Sequence, residues 1–277
     1  MTTPASTART RRARLGVGLV LATAVLAGCT SGSSTTTPSA TGATSGLSGE
    51  LTILAAASLQ PAFDELAARF AELQPGVDLR PITYDGSSTL VTQLVEGAPA
   101  DVFAAADERT MTTVSDADLV AAGTLAVFTT NTLRIAVAPG NPLDVRTLAD
   151  LTRPGLQVVL CAVEVPCGAA ARAALDAAGV SVSPASEEQN VTAVVTKVAA
   201  GEADAGLVYA SSIADSAGAL DGVDFAGSDQ VVSSYPIAVL AGAANPAAAR
   251  AFVDLVRSPA GQDVLAAHGF GATPGTP

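Results

Sequence analysis

The chain is 277 residues long, with 14 basic residues against 26 acidic ones and a formal net charge of −12. That acidic surplus excludes a nucleic-acid binder, which needs basic stripes to meet phosphates. A single histidine beside three cysteines is a poor ligand set for a metal cation and leaves one imidazole for acid–base chemistry.

Residues 1–28 read as an export signal. Arg9, Arg11, Arg12 and Arg14 form a basic start, and Leu15 to Ala27 is an apolar run too short to remain as a membrane-spanning helix. The run ends Leu26-Ala27-Gly28-Cys29, which is similar to the lipobox where bacterial lipoproteins are cut and acylated. On that reading Cys29 carries a lipid anchor at the extracytoplasmic face of the cell membrane, and two or three acyl chains hold far better than one. The alternatives are an ordinary signal peptide or a reduced, buried cysteine. Residues 29–49 follow as a flexible tether, because TSGSSTTTPSATGATSGLSG carries no charge and almost no large apolar group to bury. Without the four leader arginines, ten basic residues face 26 acidic ones and the net charge becomes −16. The field of the whole molecule then repels anions, so an anion site must act through local dipoles.

From Glu50 onward strands alternate with helices. Leu51 to Ala57 reads as a buried strand, and Leu59, Phe63, Leu66, Phe70 and Leu73 then recur at helical spacing. Leu79 to Tyr84 is a second strand that Pro81 keeps near an edge. Leu90, Val91, Leu94 and Val95 make the next helix face, which Gly97 stops. Asp101 to Ala106 is a strand, with Asp107 as a helix cap. Leu133 to Ala138 and Gln157 to Val163 are strands, and Ala169 to Ala178 is a helix. Val191, Val194, Val195 and Val198 share one helix face ahead of Gly201. Ala205 to Tyr209 and Tyr235 to Ala241 are strands. Asn245-Pro246 and Ser258-Pro259 open the last two helices. This alternation predicts an α/β protein with a mostly parallel sheet and its ligand at the carboxyl ends of the strands.

Ser58 and Ser87 stand where an apolar strand runs into an amphipathic helix, in LTILAAASLQPAF and ITYDGSSTLVTQLVEG. Such a junction offers unpaired backbone N–H groups, a positive helix end and a hydroxyl at one point. Two of them facing each other would hold a small oxyanion without lysine or arginine. Cys161 and Cys167, six residues apart on an exported chain, are expected to form a disulfide that pins a loop; the alternative is a metal site. His268 is expected to be an ordinary helix-end residue, and Asp101 and Asp107 are expected to be caps or internal acceptors.

AAASL, YDGSSTLVTQLVEGAPADVFAAAD, VPCG, QNV and GEADAGLVY, in this order and at these intervals, resemble the periplasmic molybdate-binding proteins of ABC importers. The resemblance covers nearly everything after Glu50. It implies the type II periplasmic-binding-protein fold, two α/β lobes with a ligand cleft between them. Residues 50–132 and 231–277 would form lobe 1, and 133–230 lobe 2. It implies a ligand set of Ser58, Ser87, Cys167, Val191 and Tyr209, with Ser88 as a fallback for Ser87. Cys167 stands where related proteins usually have alanine, so it would act through its backbone N–H, as would Val191. The ligand would be molybdate or tungstate, with no cofactor, no metal cation and no catalytic residue. The partners would be an ABC permease and its ATPase, and the protein would be a monomer that meets the membrane only through its lipid.

A donor-only set suits molybdate, a tetrahedral dianion with no proton near neutral pH, whereas the P–OH of phosphate would find no acceptor. Sulfate has the same charge and shape, so its rejection rests on cavity size. Two rivals remain on the sequence: a receptor for another oxyanion such as sulfate, and a secreted serine hydrolase. The hydrolase lacks a G-x-S-x-G elbow and would need His268 or Lys197 as a base. No P-loop is present to drive transport from within the chain.

Overall fold

The computed structural model describes residues 46–273. The export signal, the lipobox with Cys29 and most of the tether lie outside the described residues. No helix among the described residues is long and apolar enough to cross a membrane.

The first part of the chain runs β1 (Gly49–Leu51), β2 (Ile53–Ala56), a 3-10 turn (Ala57–Leu59), α1 (Gln60–Leu73), β3 (Val77–Leu79), β4 (Thr83–Asp85), α2 (Ser87–Val95), β5 (Val102–Ala104) and α3 (Glu108–Asp116). The long strand β6 (Ala126–Val137) leads to β7 (Val158–Cys161), α4 (Pro166–Ala177), β8 (Ser186–Glu188), α5 (Val191–Ala199), β9 (Ala205–Tyr209), α6 (Ala210–Ala214) and β10 (Asp221–Val223). Strand β11 (Val232–Val239) returns, and α7 (Pro246–Arg257) and α8 (Pro259–Ala267) close the fold.

One sheet of nine strands carries the order β4-β2-β5-β11-β6-β9-β7-β8, with β10 beside β6; β1 and β3 pair separately. Every residue of β2, β5, β7 and β9 is buried, as expected of strands covered on both faces. The flanks are parallel, but the middle is not: β11 pairs antiparallel with β5 and β6, and β6 antiparallel with β9 and β10. This corrects the expectation of a mostly parallel sheet. Apolar runs reveal strands but not their direction, and no crossover helix sits between α3 and β6 to force a parallel return.

Strand β6 pairs with β11 through Ala126–Thr132 and with β9 through Leu133–Val137. It therefore belongs to both halves of the sheet, β4-β2-β5-β11 on one side and β9-β7-β8 on the other. The expected strand Leu79 to Tyr84 is two strands, because Pro81 has no N–H for a ladder. Leu73 and Val95, expected on buried faces, are exposed at the last turns of α1 and α2. Gly97 and Gly201 end α2 and α5 with φ of 95° and 71°, a region that favours glycine.

The core of the first half is aromatic. Phe63 of α1 packs on Phe128 of β6 and Phe252 of α7, with ring centroids 5.9 and 5.8 Å apart, and Phe70 meets Phe252 at 5.5 Å. All four are buried. This packing fixes α1, and with it the turn carrying Ser58, against a strand shared by both halves.

Candidate anion-binding site

Four of the eight α-helices among the described residues begin with a side chain that takes up an orphan N–H. Asp107 accepts from Thr110 at the start of α3, Asn245 from Ala248 at α7, and Ser258 from Gly261 at α8. Asn190 accepts from Ala193 at α5, which satisfies the third N–H of that helix and leaves the first two. α1, which continues directly from the 3-10 turn, has no side-chain cap at Leu59, which is not in the cavity wall. The 3-10 turn and α2, α4 and α6 have none either, and their N-cap residues are Ala56, Gly86, Val165 and Tyr209. All four line one cavity, together with Ser58, Asp85, Ser87, Cys167, Asn190 and Val191. These four helix starts thus open onto a shared space of about 220 Å³ counting its mouth. That is below the roughly 300–1,000 Å³ of pockets for drug-sized organic ligands.

Ser58, Ser87, Cys167, Val191 and Tyr209, the five residues singled out in the sequence, all lie in this wall. Ser58 is in the 3-10 turn and Ser87 is the first residue of α2; both are buried. Neither caps a helix with its side chain. The Ser58 hydroxyl meets the Tyr235 hydroxyl at 2.9 Å, and Ser87 Oγ accepts the Ala106 N–H at 3.0 Å. Cys167 and Val191 are the second residue of α4 and the first of α5. Tyr209 is 1% exposed and lines the cavity, and its hydroxyl has no hydrogen-bond partner among the described residues. Burial pushes the Tyr209 phenol well above its ordinary range, so it stays protonated and is a donor at any working pH.

Ser88 is not in the wall. Its hydroxyl donates across the cleft to the Glu164 carbonyl (2.6 Å), where Arg109 also donates (2.8 Å). Glu164 lies in the loop closed by the Cys161–Cys167 disulfide, whose Cα atoms are 5.7 Å apart. A second tie across the cleft runs from Asn190 Nδ2 to Asp85 Oδ1 (3.0 Å), which also accepts the Gly86 N–H (2.7 Å). Gly86 is a site residue that the sequence reading missed. A Cβ there would sit 2.2 Å from the Gln189 carbonyl oxygen, so the backbones of the two halves touch only because this residue is glycine. Its place before a SerSer pair was the available signal; the partner 103 positions away in the chain was not. Asp85, a carboxylate in the wall, was missed as well.

Asp101 and Asp107 are internal acceptors. Asp101 takes the N–H groups of Thr52 (2.8 Å) and Asn245 (2.9 Å), and Asp107 takes that of Thr110 (2.8 Å). His268 ends α8 between Asp215 (2.6 Å) and Glu65 (3.3 Å), and Lys197 is paired with Glu188. Neither base bonds to Ser58 or Ser87, so neither serine has the activating partner a nucleophile needs. Among the described residues no three His, Cys, Asp or Glu side chains cluster as a cation site.

Two α/β halves meeting at a small cavity of N–H and O–H donors, with one carboxylate, Asp85, held by Gly86 and Asn190, define a protein that binds a small solute. The model of the bacterial extracellular solute-binding protein family matches residues 51–271, and the chain belongs to that family, which binds solutes rather than transforming them. Molybdate-binding proteins are among its relatives. It is 45% identical to the molybdate-binding protein ModA of Mycobacterium bovis over 256 residues, 92% of this chain and 97% of that one. To ModA of Escherichia coli it is 31% identical over 235 residues, 80% and 89% of the two chains. In fold it is similar to the periplasmic molybdate-binding protein of Azotobacter vinelandii, with a TM-score of 0.69 at 21% identity over 79% and 98% of the chains. The type II periplasmic-binding-protein fold expected from the sequence is the fold present.

Proposed function

We propose that the protein captures molybdate, and tungstate with it, in the cavity between its halves and delivers the anion to an ABC permease driven by a separate ATPase. The observation that carries this reading is the convergence of uncapped helix starts and one unpartnered buried tyrosine hydroxyl on a single small cavity. Ser58, Ser87 and Tyr209 donate through hydroxyls, and Cys167 and Val191 through backbone N–H groups at the starts of α4 and α5. Each bond to a charged oxygen is worth roughly 1.5–3 kcal/mol, and several of them offset the loss of the anion's water because the donors are held in place beforehand.

The lobes are assigned as 50–132 with 231–277, and 133–230, joined through β6 and β11. Anion bound to one lobe recruits the other, and the bonds of Ser88, Arg109 and Asn190 across the cleft secure the closed form that docks to the permease. The protein acts as a monomer tethered by acylated Cys29. Relatives that bind molybdate at 45% and 31% identity support the choice of anion.

Calorimetric titration of the purified protein with molybdate, tungstate, sulfate and phosphate tests the reading. Tight binding of the first two with silence from the others is expected. Tight sulfate binding moves the protein to another oxyanion class, and no heat with any of the four overturns the proposal.

A further inference from the structure

A hydroxyl is both donor and acceptor, so a serine in an anion site is useful only if its proton points at the anion. For Ser87 the backbone settles this: Oγ accepts the Ala106 N–H from behind (3.0 Å), and its own proton is left for the cavity. No backbone N–H does the same for Ser58. Its partner is Tyr235, on the returning strand β11, whose hydroxyl is buried and kept protonated by that burial.

The direction of the Ser58–Tyr235 bond follows from the next residue inward. Asn131, on β6, is 2% exposed. Its Oδ1 accepts the Thr132 N–H (3.0 Å), which turns Nδ2 toward Ser211 Oγ (2.8 Å) and the Tyr235 hydroxyl (3.5 Å). Tyr235 therefore faces donor hydrogens on its Asn131 side. The arrangement that gives each of these protons an acceptor has Asn131 donating to Tyr235 and Tyr235 donating to Ser58. The Ser58 proton then has the cavity as its outlet.

Resting on the oxyanion reading above, we propose that Tyr235 and Asn131 are positioning residues that set the polarity of the anion site. They hold Ser58 as a donor and so help the cavity refuse anions that carry a proton. Both residues sit on the two strands that join the halves, so the hinge of the molecule orients a ligand group. Neither residue lines the cavity.

A double-mutant cycle tests this, with molybdate and phosphate titrated calorimetrically into the full protein. Tyr235→Phe keeps the ring that packs against Tyr209 (5.9 Å) and Phe270 (5.5 Å) and removes the donor. Molybdate affinity is expected to fall about tenfold, the effect of one directed hydrogen bond. The molybdate-to-phosphate ratio is expected to narrow, because a Ser58 hydroxyl free to rotate can accept from P–OH. In a Ser58→Ala background the same substitution should then cost nothing further. Equal losses in both backgrounds mean that Tyr235 supports the fold rather than the serine, and overturn the inference. If Tyr235→Phe does not fold, Asn131→Asp replaces it. Its carboxylate draws the Tyr235 proton away from Ser58, so its loss of affinity should shrink in the Ser58→Ala background, and a loss that does not shrink overturns the inference. A wild-type protein silent toward molybdate is a different failure, that of the oxyanion reading itself.

Discussion

In the proposed site the two halves supply the same kind of donor by different means. The first half offers the hydroxyls of Ser58 and Ser87: Ser87 accepts the Ala106 N–H, and Ser58 is paired with the Tyr235 hydroxyl, which on the proposed polarity donates to it. The second half offers backbone N–H groups at Cys167 and Val191, which the helix geometry of α4 and α5 aims without help. It adds one hydroxyl, Tyr209, fixed at the end of a fully buried strand. A hydroxyl must be given its direction by neighbours, whereas a first-turn N–H has it already. The first half should therefore be sensitive to side-chain chemistry and the second to the shape of its loops.

The sharpest break would come where the halves touch. Gly86→Ala places a Cβ against the Gln189 carbonyl oxygen, and overpacking of that kind costs about 1–3 kcal/mol. Molybdate affinity should fall by up to about 100-fold in calorimetry, while the melting point of the anion-free protein barely moves. Normal binding by this variant would mean that the halves need not meet at Gly86 to hold the anion.

Within the first half, Ser87→Ala removes a proposed ligand hydroxyl and orphans the buried Ala106 N–H. Affinity should drop roughly 10- to 100-fold, and unfolding in urea should show about 1–3 kcal/mol of lost stability. Lost affinity at unchanged stability would show that Ala106 finds water instead.

Opening the Cys161–Cys167 bridge tests the second half. A loop this short restrains the unfolded chain by about 2 kcal/mol, so a Cys161→Ser, Cys167→Ser double variant should lose that much stability. Its affinity should change far less, since the Cys167 N–H belongs to the helix. A large loss of affinity would show that the bridge, and not α4, aims the donor.

The smallest effect concerns the contact made by His268. Burial alone would lower its imidazole, but the hydrogen bond and charge of Asp215, with Glu65 behind them, outweigh that and hold it raised. A raised histidine contributes stability fully below its unfolded value near 6.5, and that contribution fades as pH climbs through the folded value. Melting followed across that range should show a decline with pH that His268→Gln flattens. An unchanged slope in the variant would assign the decline to other groups.

Much of the candidate site, the wall that Ser58, Ser87, Cys167, Val191 and Tyr209 share, was legible because its parts are local. A strand running into a helix, a serine at the junction, and alanines and valines at helical spacing are all written within a dozen residues around Ser58, Ser87 and Val191. The corrections concern partners far apart in the chain. Val95 matches the apolar spacing of α2 yet is exposed, because spacing shows which face is apolar but not how far along the helix the core extends. Ser88 is a ligand candidate by proximity to Ser87, yet the turn of the helix carries it across the cleft to Glu164.

By itself the sequence determined the acidic charge, the alternation of buried strands and helices, and the residues able to donate to an anion. These follow from composition and short-range periodicity. Only the tertiary structure decided that β6 runs through both halves with β11 antiparallel beside its first part, that Gly86 lies against Gln189, and that Asn131 and Tyr235 stand behind Ser58. The physical reason is that hydrogen-bond direction and close backbone approach depend on partners about 100 to 180 positions away, which no local pattern encodes.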